Sequence, residues 1–134
     1  MSELKFHHFG VATKNIDKEF KVFQMLGYSA CSEKFEDSIQ KIRGLFINAD
    51  EQPCLELLEG ISEDNPLKSH ILKGNKFYHI AYETNNIEED LKDFVETKKA
   101  KVVVPITTAT YFEKICFMVL PNMMIVELVQ CRKE

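Results

Sequence analysis

Four side chains of this 134-residue sequence stand at a spacing that could do chemistry: His8, Glu56, His79 and Glu127. His8 lies in "FHHFGVATKNI" and His79 in "FYHIAYETNNI", 71 residues apart, and Glu56 in "LELLE" and Glu127 in "VELVQ" keep the same offset. Imidazole and carboxylate together are the ligand types of Zn, Ni, Co, Mn or Fe. Two carboxylates neutralise a divalent ion, and an octahedral ion keeps two positions for water or substrate. A single strand histidine is more often a hydrogen-bonded core or surface residue than a ligand, and a single strand glutamate is more often an edge charge facing water. The matched spacing of two such pairs favours a metal centre instead.

Strand alternation sorts these residues by face. Side chains alternate across a strand, so His8 shares a face with Phe6, Gly10 and Ala12, while His7 points with Phe9 and Val11. In the second copy His79 shares a face with Phe77, Ala81 and Glu83, opposite Tyr78, Ile80 and Tyr82. Phe9, Val11, Ile80 and Tyr82 suit the packing of helices, which leaves both histidines on the other face beside small residues. Leu55, Leu57, Val126 and Leu128 form a second helix-facing set and place Glu56 and Glu127 opposite them. A carboxylate centred in so apolar a strand is costly unless paired or coordinated. By the same alternation His7 is expected to be structural and Glu59 and Gln130 to miss the metal. Glu83, roughly 13 Å along the strand from His79, is expected to be a rim or structural charge.

The elements that must hold these residues also repeat. A strand over residues 4 to 13 leads to a helix with Asn15 as N-cap, Ile16, Phe20, Phe23 and Leu26 at helical spacing, and Gly27 as its left-handed stop. Strands are expected at Tyr28 to Phe35, Ser38 to Ile47 and Pro53 to Glu59, with "FEDS" and "NADEQP" as turns. The polar stretch "GISEDNPLKSHILKGNK" reads as a connector with a short helix near Leu67 to Leu72 and a solvated His70. The order then begins again: a strand Phe77 to Glu83, a helix capped by Asn86 with Ile87, Leu91 and Phe94 inward, and strands at Lys101 to Pro105, Tyr111 to Val119 and Met124 to Cys131. The predicted class is α+β, one domain of two tandem βαβββ modules (1–60 and 77–134) joined by a connector (61–76). Between the matched anchors the hairpins are expected to differ in length.

Composition bounds the function. With 45% hydrophobic and 28% charged residues the chain can bury a real core, and its formal net charge of −4, with 17 dispersed lysines and arginines, offers no nucleic-acid footprint. No apolar run approaches the length of a membrane span, and the N-terminus has no signal-peptide pattern, so a cytoplasmic protein is expected. Cys31, Cys54, Cys116 and Cys131 form no CxxC pair and are expected to be reduced thiols at strand positions, with no thiolate metal site.

The sequence resembles the vicinal oxygen chelate superfamily, closest to its glyoxalase I and methylmalonyl-CoA epimerase branch. The carriers are "HHFGVATKNI", "LELLEG", "YHIAYETNNIEEDL" and "IVELVQ", in order and at matching offsets. The resemblance implies a curved, partly open mixed sheet around a central cleft, helices outside, and one divalent ion bound by His8, Glu56, His79 and Glu127. It implies a metal-dependent isomerase or lyase that removes a proton next to a carbonyl through a metal-stabilised enolate, with Glu56 and Glu127 as acid and base. The expected partner is a small-molecule substrate with adjacent oxygens, and the expected assembly is a homodimer.

Two departures from the epimerase branch bear on the substrate. Where that branch carries a separate carboxylate base, "SIQKIRGLFIN" places Arg43, with Lys41 two residues earlier, so an anionic substrate group met by Arg43 and Lys41 is one reading and a surface charge the other. The glycine-rich loop of the family is absent from "VPITTATYFEKI", which counts against a CoA thioester. The alternatives are a metal-free, substrate-sequestering binding protein of the same fold, an extradiol-type dioxygenase, against which the second glutamate counts, or a structural protein that keeps the site but has lost its pocket.

Overall fold

The computed structural model describes residues 3–133. Its elements run β1 (Lys5–Ala12), α1 (Ile16–Gln24), β2 (Ser29–Ala30), β3 (Phe35–Asp37), β4 (Ile42–Ala49), β5 (Gln52–Gly60), α2 (Lys68–Leu72), β6 (Phe77–Glu83), α3 (Ile87–Thr97), β7 (Lys101–Thr108), β8 (Lys114–Val119) and β9 (Ile125–Gln130). The class is α+β with mixed strand pairing, as the sequence predicts. The chain divides into two compact units, one of them His8–Tyr78, the other joining Met1–His7 to His79–Glu134.

The two units repeat each other pair by pair. In the first, β1 runs parallel to β5 with Phe9 beside Leu55 and Gly10 beside Glu56; in the second, β6 runs parallel to β9 with Ile80 beside Val126 and Ala81 beside Glu127. The antiparallel neighbours keep the same register: Arg43 faces Glu59 and Phe46 faces Glu56, while Lys114 faces Gln130 and Phe117 faces Glu127. The offset of 71 therefore holds through β4 and β8, and the expected difference in hairpin length is not found there. The difference lies in the strand before them. Tyr28 to Phe35 is not one strand: it breaks at Cys31 to Lys34 into β2 and β3, whereas β7 runs on past Pro105 to Thr108. Pro105 removes a ladder donor, and β7 absorbs it within the register shift between Val104 and Thr107.

The predicted turn at "FEDS" is likewise displaced. Residues 35–37 form β3, and the turn is Ser38 to Lys41, closed by the Asp37 carboxylate accepting from the Gln40 backbone N–H at 3.0 Å and by Lys41 at φ 61°. An Asp leading a turn supplies this acceptor better than the Phe–Glu pair before it.

Helices α1 and α3 start where their caps predict. The Asn15 side chain accepts from Lys18 N–H and that of Asn86 from Glu89 N–H. Each helix is also tied to the last strand of its unit, Ile16 N–H donating to Glu59 Oε1 at 2.8 Å and Ile87 N–H to Gln130 Oε1 at 2.9 Å. Helix α1 ends in a Schellman arrangement around Gly27 (φ 98°), with Gly27 N–H on Gln24 O and Tyr28 N–H on Phe23 O. That closure leaves Leu26 exposed in the turn rather than inward on the helix.

Each unit has its core between helix and sheet. In the first, Ile16 and Phe23 of α1 pack with Val11, Leu45, Ile47, Leu55 and Leu57. In the second, Ile87 of α3, with Leu91 and Phe94, packs with Cys116, Met118, Val126 and Leu128. The first unit has a further cluster, Ala12, Ile42, Leu58 and Leu67 with Phe35, Ile71 and Tyr78. The connector is therefore no solvated strap: Leu67 is fully buried, and His70 is half-buried and stacks on Tyr78 with ring centroids 4.7 Å apart. No helix among the described residues is long and apolar enough to cross a membrane.

Candidate functional site

Each unit presents one buried imidazole beside one buried carboxylate. In the first, His8 Nε2 lies 3.0 Å from Glu56 Oε1; in the second, His79 Nε2 lies 3.1 Å from Glu127 Oε1. All four residues are buried, with Glu56 and Glu127 only 6% and 3% exposed, so neither carboxylate is an edge charge facing water. The pairing registers explain the geometry. Glu56 stands beside Gly10 and Glu127 beside Ala81, two residues beyond each histidine on the same face, and the small side chain there lets the carboxylate reach back to the imidazole.

An aromatic ring braces each pair. Phe46 meets the His8 ring edge-on at 5.1 Å and 80°, and Phe117 meets His79 at 5.1 Å and 86°. Each Phe lies directly across the ladder from its glutamate. Sequence reasoning missed both, although Phe46 and Phe117 obey the same offset of 71 and that spacing was the available signal. In the first unit Phe35 stacks on Phe46 at 5.8 Å and 18°, above Gly44, where an added Cβ would come within 2.3 Å of the Phe35 ring. Gly44 is thus required for close approach of that ring.

Within its own unit the structure does not bring Arg43 or Lys41 to the His8–Glu56 pair. Arg43 faces Glu59 across the ladder, on the helix side with Leu45 and Ile47, and is held by Glu59 Oε2 at 3.2 Å and Glu36 Oε1 at 3.3 Å. On β4 the residues facing the same side as Glu56 are Ile42, Gly44 and Phe46, so no carboxylate stands there. Lys41 sits in the Asp37 turn and pairs with Asp64 at 3.3 Å, both exposed. Glu59 and Gln130, set aside on parity, anchor the helix N-termini instead. His7 packs edge-on against Phe112 at 5.1 Å.

The cysteines are all free thiols, but only Cys54 and Cys116 lie within strands; Cys31 and Cys131 fall just beyond β2 and β9. Burial, with a smaller contribution from the neighbouring Cys31, pushes the Cys54 thiol up to about 12, and burial does the same to Cys116. Neither is a thiolate at neutral pH.

The donor set and its spacing fit a metal ion. An octahedral ion with nitrogen and oxygen ligands at about 2.1 Å keeps adjacent ligand atoms roughly 3.0 Å apart, which is the separation within each pair. Buried imidazoles packed on aromatic rings, each beside a buried carboxylate, carry a desolvation cost that coordination would offset.

The sequence signature of the glyoxalase/bleomycin resistance protein/dioxygenase superfamily matches residues 7–117, and the chain belongs to that superfamily. No curated protein sequence matches the chain significantly. Among solved structures, a hypothetical protein from Bacillus halodurans superposes with a TM-score of 0.82 at 20% identity, covering 98% of this chain and 97% of that one. Methylmalonyl-CoA epimerase from Mycobacterium tuberculosis gives 0.82 at 15% identity, covering 96% and 89%. A variant of the Streptomyces coelicolor methylmalonyl-CoA epimerase, in complex with 2-nitronate-propionyl-CoA, gives 0.80 at 20% identity, covering 98% and 100%.

Proposed function

We propose that His8, Glu56, His79 and Glu127 together hold one divalent metal ion, and that the protein is an epimerase or lyase acting on a carbon next to a carbonyl. The observation that carries this reading is the duplicated imidazole–carboxylate pair, buried and at cis-ligand spacing in each unit. When bound, the ion supplies Lewis-acid stabilisation of the negative charge that develops on a carbonyl oxygen as the adjacent proton leaves.

The rest of the chemistry belongs to the chain. His8 and His79 carry no negative charge and set the orientation of the site, each fixed edge-on by its phenylalanine. Glu56 and Glu127 are the acid and base: one carboxylate takes the proton from carbon, and return of a proton from either glutamate to the same or the neighbouring carbon gives epimerisation or isomerisation. With Ile42, Gly44 and Phe46 on the corresponding side of β4, that strand supplies no competing carboxylate. The substrate class is a small molecule with adjacent oxygens, and the structural likeness to epimerases, one of them in complex with a CoA thioester analogue, supports testing acyl-CoA thioesters first.

The test is metal analysis of the purified protein, combined with exchange of the substrate α-proton in deuterated water. One ion per chain, lost in His8→Ala and His79→Ala, is expected. Glu56→Gln and Glu127→Gln should each lower turnover by about 100-fold or more while the fold, read by circular dichroism, is kept. Wild-type protein that takes up no metal, or full exchange by both glutamine variants, overturns the reading.

A further inference from the structure

A second group of ligand-type side chains lies within the unit that joins Met1–His7 to His79–Glu134, away from His79 and Glu127. It comprises His7, Glu83 and Cys131, each half-buried, whose donor atoms all lie within 4.8 Å of one another. Three separate segments deliver them. His7 comes from β1, Glu83 is the last residue of β6, and Cys131 is the first residue after β9. Because Glu83 pairs with Val129 and Cys131 follows two residues on, Glu83 and Cys131 share a face. Glu83 lies four residues beyond His79, roughly 13 Å at strand rise, so one ion cannot use both.

We propose that His7, Glu83 and Cys131 form a second metal site, distinct from the duplicated pairs, for a borderline-soft divalent cation such as Zn2+ or Co2+. One thiolate, one imidazole and one carboxylate make a tetrahedral set with a fourth position open to water, a composition that disfavours Mg2+ and Ca2+. A tetrahedral ion with sulfur at about 2.3 Å and nitrogen and oxygen at about 2.0–2.2 Å keeps its ligand atoms roughly 3.3–3.8 Å apart. The three donors therefore need shifts of only about 1 Å to close on it.

The thiol already points at its carboxylate neighbour. Burial raises the Cys131 thiol above its ordinary range, and the nearby Glu83 charge and a hydrogen bond to Glu83 add to the effect. Binding replaces that S–H with a sulfur–metal bond and releases the proton to solvent, with no change of oxidation state. The Phe112 ring beside His7 fixes the imidazole plane at 79° to its own and shields one side of the site.

Titration of the full chain with Co2+ tests this, because sulfur coordination gives a thiolate-to-cobalt charge-transfer band in the near ultraviolet that nitrogen and oxygen ligands do not. The band should appear in the wild type and persist in Glu127→Gln and His79→Ala, which separates this site from the centre proposed above. It should vanish in Cys131→Ser and need about tenfold or more cobalt in His7→Ala and Glu83→Gln, with circular dichroism confirming that each variant is folded. Absence of the band in folded wild-type protein, or a band that survives in Cys131→Ser and disappears in Cys54→Ser, overturns the proposal.

Discussion

At the residue scale the two phenylalanines carry the most testable consequence. Phe46 is almost fully buried, stacks on Phe35 and braces His8, and Phe117 braces His79 in the same register. Truncating Phe46 to alanine removes a large core side chain, and urea unfolding should show a loss of about 3–5 kcal/mol. Phe46→Leu should keep most of the stability yet weaken metal retention, since the ring edge that holds the imidazole is gone. Equal retention by wild type and Phe46→Leu would separate bracing from binding. Apart from their offset of 71, nothing marked these residues in the sequence, for a physical reason. Phenylalanine fills cores everywhere, so its type carries no signal, whereas a histidine or glutamate amid apolar strand residues needs explaining. Arg43 fails in the opposite way. Its charge draws notice, but its face is set by pairing with Glu59, and only the ladder register reveals that it points to the helix side.

At the scale of elements, the helices were the most legible part of the chain. Cap, first-turn acids and apolar spacing all agree, and α1 and α3 begin directly after Asn15 and Asn86. Asn15→Ala and Asn86→Ala should each cost about 1 kcal/mol in chemical denaturation. Neither change should alter metal content, because the histidines sit on strands whose registers do not depend on the caps. The strands were less legible. Their apolar alternation was read correctly in β1, β5, β6 and β9, where both faces are dictated by buried neighbours. It failed around residues 31–41, where a break and a turn interrupt a stretch read as continuous strand around Phe35 and Ile39. Local propensity cannot tell a strand from two short strands when the decisive contact, here the Asp37 carboxylate accepting from Gln40, comes from one side chain.

For the whole molecule, the duplication was legible because it preserves spacing rather than residue identity. The offset of 71 holds from the first strand of each unit to the last, through cap, helix anchor, phenylalanine and glutamate. Besides the break between β2 and β3 opposite a continuous β7, the connector breaks the symmetry, and its polar composition hid its role. Leu67 is buried against Ala12, Ile42 and Leu58 and closes a cluster within the first unit. Leu67→Ala should therefore destabilise the protein by about 2–5 kcal/mol, read as a lowered urea midpoint, whereas an ordinary surface linker would tolerate the change within about 0.5 kcal/mol.

The boundary between the units also sets an order of events during synthesis. His8–Tyr78 is one continuous stretch, while its counterpart draws on residues on both sides of it. Between Tyr78 and Gln130, the last residue of β9, 130 − 78 = 52 further residues must be added. At about 5–20 residues per second those take roughly 3–10 s, during which the contiguous unit has its full complement of strands and the other is still acquiring its own. His7 waits through that interval beside a histidine whose own glutamate has already arrived, so the adjacent pair of histidines marks a junction between an early and a late half of the nascent chain.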